Sequence, residues 1–133
     1  MSALNPSRFV LDTNIVTAFF KKETVIGEAI LHAERVYLPI TVLGELRFGA
    51  HKSSHSEKHL ERIAHFLALV ELISITQQTA DIYGRVKADL ETRGRPIPDN
   101  DLWIAAAALE YGLPLASRDK HFERVPKLSV LPW

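Results

Sequence analysis

The sequence contains no cysteine. That excludes a disulfide framework and any thiolate metal site, and it is compatible with a reducing, cytoplasmic setting. Long apolar runs are also missing. The longest, "LWIAAAAL" at 102–109, is far too short to span a bilayer. The opening "MSALNPSRF" lacks the charged head and apolar stretch of a signal peptide. Charge of one sign is not in excess: 16 Lys and Arg balance 16 Asp and Glu, for a formal net charge of +0. No global basic field advertises nucleic acid, so any such contact must come from a local patch. There is no internal repeat, no low-complexity segment and no linker. What remains is a chain of 133 residues, 47% hydrophobic and 24% charged, read as one globular domain over 1–133 with a single core.

Short apolar β-rich runs alternate with helical periodicity along the chain. "RFVL" (8–11), "RVYLP" (35–39), "LISI" (72–75), "LPLAS" (113–117) and "LSVL" (128–131) read as strands. "TNIVTAFFKK", "TVIGEAILHAE", a segment from Thr41 to about Ala50, "SEKHLERIAHFLALVE" and "QTADIYGRVKADLETRG" read as helices, with Thr41 as one N-cap and Gly94 as one C-cap. "HKSSHSEKH" (51–59) has the composition of a loop. The strands are continuous apolar runs, not period-two stripes. That pattern implies an α/β sandwich with a mainly parallel sheet covered on both faces.

Acidic residues stand at informative places in this pattern. Asp12 directly follows an apolar strand, at the edge where parallel sheets bind ligands. It is equally good chemistry for capping the next helix. Asp119 repeats the arrangement two residues after "LPLAS", where it also reads as a turn aspartate. Glu45 shares a helical direction with Thr41, Val42, Phe48 and Gly49, all within about 60° of it at about 100° per residue. A glutamate so bracketed is not on a plain solvated face; the alternative is an exposed edge position or a pair with a nearby arginine. "PIPDNDLWIAAAAL" raises a sharper question, because two aspartates precede a helix that is apolar all round and therefore buried. Asp99 reads as the N-cap and Asp101 as the working group. The helix dipole rewards an acid in the first turn by only about 0.3–1 kcal/mol, too little to account for a desolvated carboxylate. The reverse assignment stays open.

If these acids converge, each pair about 5 Å apart repels by roughly 3 kcal/mol at an effective dielectric near 20. A hard divalent cation removes that penalty, and all-oxygen ligands favour Mg²⁺ or Mn²⁺ over zinc. Phosphodiester cleavage is the chemistry that typically uses such a cluster.

The motifs "VLDTN" (10–14), "ELRFGA" (45–50), "PIPDNDLWIAAAAL" (96–109) and "LASRDKHFERVPKLSVLPW" (115–133), in this order, resemble PIN-domain proteins. More narrowly, they resemble the VapC-type ribonuclease toxins of bacterial VapBC toxin–antitoxin modules. The resemblance covers essentially the whole chain. It implies a three-layer α/β/α sandwich with a mostly parallel five-stranded sheet. It implies Mg²⁺-dependent endonucleolytic cleavage of RNA, of the tRNA or rRNA class, in the cytoplasm, with a VapB-type antitoxin as partner and a homodimer as the common assembly. The family's acids carry over onto Asp12, Glu45, Asp101 and Asp119, as catalytic groups and metal ligands. Asn14 and Ser117 match its supporting polar residues, with Asp99 beside them. One departure is mild: Asp119 stands where some relatives have asparagine.

Arg85, Lys87, Arg93 and Arg95 cluster before the acidic segment, and Arg47, Lys52 and Arg118 could flank it. Arg118, Arg95 and Arg47 are the candidates for RNA phosphate contact. Interleaved Asp89 and Glu91 offer the alternative of a solvated helix face. His51, His55 and His59 recur every fourth residue, but without acids nearby they read as an exposed polar segment, not a zinc site. Trp103 and Phe48 read as core. A haloacid-dehalogenase phosphatase is disfavoured because it needs an aspartate where Asn14 stands. A receiver domain lacks its paired N-terminal acids. A non-catalytic PIN-like module predicts eroded acids. A PIN nuclease acting in RNA or DNA processing outside a toxin module remains as the alternative.

Overall fold

A computed structural model describes residues 6–133. The reading that "MSALNPSRF" is no signal peptide falls largely on residues 1–5, outside the described residues. Five strands form one sheet: β1 (Arg8–Leu11), β2 (Arg35–Pro39), β3 (Glu71–Ile73), β4 (Leu115–Ala116) and β5 (Val130–Leu131). Their order is β3-β2-β1-β4-β5, and every pairing is parallel. Six helices connect them: α1 (Thr13–Phe20), α2 (Thr24–His32), α3 (Ile40–Lys52), α4 (Ser56–Phe66), α5 (Gln77–Thr92) and α6 (Asp99–Tyr111). Phe9, Val10 and Leu11 of β1 are all completely buried. Successive strand residues point to opposite faces, so helices must cover both. The result is the expected α/β/α sandwich, and among the described residues no helix is long and apolar enough to cross a membrane.

The chain runs outward from β1 through β2 to β3, then returns to the other side of β1 for β4 and β5. The order therefore reverses between β1 and β4. Ligands of open parallel sheets bind beyond the strands' carboxyl ends at such a reversal. Leu11 pairs with Ala116, so the next residues, Asp12 and Ser117, emerge side by side at that point. α6 precedes β4 through a tight turn, which sets its N-terminus at the same edge. Leu102, Ile104 and Ala105–Ala108 are all buried, as an all-round apolar helix demands. Gly112 ends α6 at φ 64°. Its N–H bonds Leu109 O at 3.1 Å and the Leu113 N–H bonds Ala108 O at 3.1 Å, a pairing that needs a left-handed residue and so favours glycine. Gly94 closes α5 in the same way at φ 68°.

Several local expectations are corrected. Thr41 does not cap α3. The chain enters α3 straight from β2 through Pro39, and Thr41 lies inside the helix with its buried Oγ1 unpartnered. Asp99 does not cap α6 either: Pro98 holds the N-cap position and Asp99 is the first helical residue. β3 begins earlier and ends sooner than "LISI", because pairing Tyr37 with Glu71 sets its register on β2. Thr76 then leaves the strand to cap α5 in a reciprocal box with Thr79. Most of 51–59 is helical; His51 and His55 are exposed at the end of α3 and in the turn before α4, and His59 is half-buried in α4.

Candidate active site

Asp12 leaves β1 and caps α1, so its competing readings hold together. Its Oδ1 accepts the Thr13 N–H at 2.8 Å, which satisfies the helix end. Its Oδ2 accepts the Ser117 hydroxyl at 2.6 Å and the Asn14 amide at 3.3 Å. Only 5% of Asp12 is exposed. That burial pushes its carboxyl above the usual range. The Ser117 and Thr13 hydrogen bonds oppose the shift, and the nearby charge of Asp119 adds to it. Ser117 links the two strand ends, since its Oγ also accepts the Asp119 N–H at 3.0 Å. Asn14 reaches the same segment by accepting the Arg118 N–H at 3.2 Å.

Glu45 projects from the second turn of α3. It accepts the Thr13 hydroxyl at 2.5 Å and the Asn100 amide, so one carboxylate is pinned between α1 and α6. Asp101 sits in the first turn of α6 with its side chain 15% exposed. Its pKa is pushed up to about 6, first by desolvation, then by the charges of Asp119 and Asp12, with His121 easing the shift. Asp119 caps a short 3₁₀ turn over Lys120–Arg124 by accepting the His121 N–H at 2.9 Å. Asp12, Glu45, Asp101 and Asp119 all line one cavity of about 470 Å³. Asp99 does not. It faces α5, where its carboxylate meets Lys87 Nζ at 2.9 Å and the Tyr83 hydroxyl at 3.1 Å, and the Lys87 hydrogen bond chiefly holds its pKa down.

The basic candidates scatter. Arg118 lines the cavity, but its guanidinium is engaged by Glu23 at 2.7 and 3.1 Å and by the Trp133 carbonyl. Arg47 and Arg95 are exposed and lie outside the cavity wall. Arg85 and Arg93 pair with Asp81 and Asp89 one helical turn away, the solvated-face alternative. Lys21 lines the cavity and was not singled out from the sequence. Phe48 is corrected from core to surface, at 67% exposed on the outer side of α3. Trp103 is half-buried and stacks on Tyr83 at 3.9 Å, packing α6 against α5.

Besides Lys21, three residues that bond or closely approach the acids escaped the sequence reading: Thr13, Asn100 and His121. The first two bind Glu45 from positions beside acids already noticed. His121 Nδ1 lies 3.1 Å from Asp119 Oδ1 and 3.3 Å from Asp101 Oδ2. The spacing of "RDKHF" hinted at it, but only the 3₁₀ turn folds the imidazole back onto both carboxylates.

A model of the PIN domain family matches residues 9–128. Among curated proteins, the chain is 32% identical over 129 residues to Ribonuclease VapC2 of Haemophilus influenzae strain Rd, covering 95% of this chain and 98% of that one. It is 31% identical over 129 residues to the tRNA(fMet)-specific endonuclease VapC of Salmonella typhimurium, with the same coverage. Among solved structures it is similar to VapBC2 from Rickettsia felis bound to a DNA fragment from their promoter, with a TM-score of 0.87 and 28% identity over 95% of this chain and 98% of that chain. DNA-bound VapBC from Salmonella typhimurium gives 0.87 and 30% identity, over 92% and 96%.

Proposed function

We propose a reaction and a set of roles for a chain that belongs to the PIN domain family and stands among its VapC ribonucleases. It is an endoribonuclease of the toxin type, cleaving RNA phosphodiester bonds by hydrolysis. The observation that carries the reading is the cavity at the β1/β4 reversal, lined by carboxylates from four separate segments of the chain. The donor set fits a hard divalent cation. It offers carboxylate oxygens, and the pKa of Asp101 is raised first by desolvation and then by the like charges of Asp119 and Asp12, which a cation would relieve. Asp12, Glu45, Asp101 and Asp119 would hold Mg²⁺, with Mn²⁺ also accommodated. When bound, the ion supplies Lewis acidity toward water and the phosphate.

The remaining residues prepare that site. Ser117, Asn14 and the Thr13 N–H fix Asp12 in one orientation, so no rotamer search precedes binding. Thr13 and Asn100 do the same for Glu45. Asp99 supports from outside, tying the start of α6 to α5 through Lys87. Lys21 offers a cation to the RNA backbone at the cavity wall. Arg118 contributes less charge because Glu23 already meets it, and Arg47 and Arg95 would touch RNA only beyond the cavity. The relatives named above suggest a tRNA as substrate class and a VapB-type antitoxin as partner; a homodimer acting in the cytoplasm is the assembly and setting this reading carries with it. The test is purified protein with total RNA, with Mg²⁺ and with EDTA. Cleavage in Mg²⁺ that stops in EDTA and in Asp12→Asn supports the reading. Cleavage undiminished in both refutes it.

A further inference from the structure

His121 enters none of these roles, yet it touches two of the four acids. Its turn is anchored by the next residue, Phe122, which is completely buried, and by its own N–H on Asp119 Oδ1 at 2.9 Å. The ring touches two of the acids that line the cavity, with its side chain 42% exposed. One ligand atom each from Asp101, Asp119 and His121 lie within 4.8 Å of one another. A neutral imidazole carries one N–H and one lone pair. If Nδ1 presents the lone pair, two anionic oxygens face it and only a cation can sit among the three. The spacing suits that arrangement. Octahedral ligands about 2.1 Å from a metal lie about 3.0 Å from their neighbours, and the two N···O separations here are 3.1 and 3.3 Å.

We propose that His121 is a direct ligand of the divalent cation, alongside Asp101 and Asp119. The centre is then mixed oxygen and nitrogen, which tilts its preference from Mg²⁺ toward a first-row transition ion such as Mn²⁺. This rests on reading the acidic cavity as a metal site. Carboxylate and water serve Mg²⁺ well, whereas imidazole shifts the balance toward transition ions. Nδ1 as ligand leaves Nε2 to carry the hydrogen.

The experiment loads metal-stripped protein with one equivalent of Mn²⁺ and records electron spin-echo modulation, for the parent chain, His121→Gln and Asp101→Asn. His121 packs against no core, so the Gln variant retains the fold, checked by thermal melting. The parent should show ¹⁴N modulation from a bound imidazole. His121→Gln should still bind Mn²⁺, roughly tenfold or more weakly, with the modulation gone and its preference over Mg²⁺ in competition titrations reduced. Bound Mn²⁺ without ¹⁴N modulation, or modulation that survives in His121→Gln, overturns the assignment and leaves the acid site standing. Failure of the parent to bind Mn²⁺ any better than Asp101→Asn overturns both.

Discussion

Replacing Asp101 by Asn should stabilise the metal-free protein while ending cleavage. The side chain is 15% exposed, and its pKa moves from 3.8 to about 6, driven by desolvation and by Asp119 and Asp12. The sign follows from linkage. Between those two values the folded chain holds a proton that the unfolded chain has released, so stability falls as pH rises from about 4 to 6 and stays low above. The shift corresponds to a penalty of about 3 kcal/mol at pH 7, about 1.5 at pH 5 and about 0.5 at pH 4. Halving the figure for water at the cavity mouth leaves ~1.5 kcal/mol at pH 7. For a chain of this size that is a rise in Tm of roughly 5 °C. Asn removes the charge and keeps the shape, so it should recover that amount.

The assay is thermal unfolding of the parent and Asp101→Asn in EDTA, at pH 7 and again near pH 4. The difference between the two proteins cancels the other carboxylates that titrate in this range. The variant should melt higher at pH 7, and the gap should close in acid. Saturating Mg²⁺ at pH 7 should raise the parent's Tm and move the variant much less, because a cation relieves the same repulsion. An Asp101→Asn protein no more stable than the parent at pH 7 would falsify the claim that this carboxylate is held under electrostatic stress.

Asp12→Asn should lose RNA cleavage in a gel assay yet fold, because an amide oxygen can still accept the Thr13 N–H that caps α1; a fully active variant would remove Asp12 from the site. Asp99→Asn should keep cleavage near the parent rate, since its carboxylate meets Lys87 and Tyr83 outside the cavity; loss of activity there would show that the two aspartates of "DND" have been read in the wrong order. Gly112→Ala meets no atom within 4 Å but is forced to φ 64°, so it should cost about 1–2 kcal/mol in denaturant melts with cleavage per folded molecule intact. Arg118→Ala, placed in the Asp12→Asn background, should change the salt slope of RNA binding by less than one phosphate contact, measured by fluorescence anisotropy, because Glu23 already neutralises it; a full unit of slope would mean that RNA displaces Glu23.

The parts of this molecule legible in its sequence are those where one local rule suffices. An apolar run followed at once by an acid marks a strand's carboxyl end, and that located Asp12 and the stretch from Ser117 to Asp119. All-round apolarity identified α6 as buried. The misread parts depend on the far end of a contact. Thr41 and Asp99 looked like caps, but the preceding prolines already hold the N-cap positions of α3 and α6. Phe48 looked like core because it is a large aromatic side chain, yet α3 turns it outward. Arg118 looked free for RNA because Glu23, its partner, lies 95 residues away. His121 was passed over for the same reason, since its two carboxylates belong to separate elements.

The rival readings of single acids turn out not to compete. Asp12 uses one oxygen to cap α1 and the other to receive Ser117 and Asn14. Asp119 caps its 3₁₀ turn through Oδ1 while its charge still raises the pKa of Asp101. A capping bond fixes the side chain's rotamer at the cost of only part of its acceptor capacity, so the residue that ends one element also presents an oriented oxygen to the space beyond. At a parallel sheet's carboxyl edge those ends gather by topology, here from β1, β4 and α6. The fold therefore assembles like charges as a by-product of finishing its own elements. Asp101 and Glu45 cap nothing. The Asp101 carboxyl has its pKa pushed up to about 6, and Glu45 is tied down by Thr13 and Asn100. Carboxylates that cap no element, held where the architecture has already gathered charge, are the ones the proposed cation would relieve most.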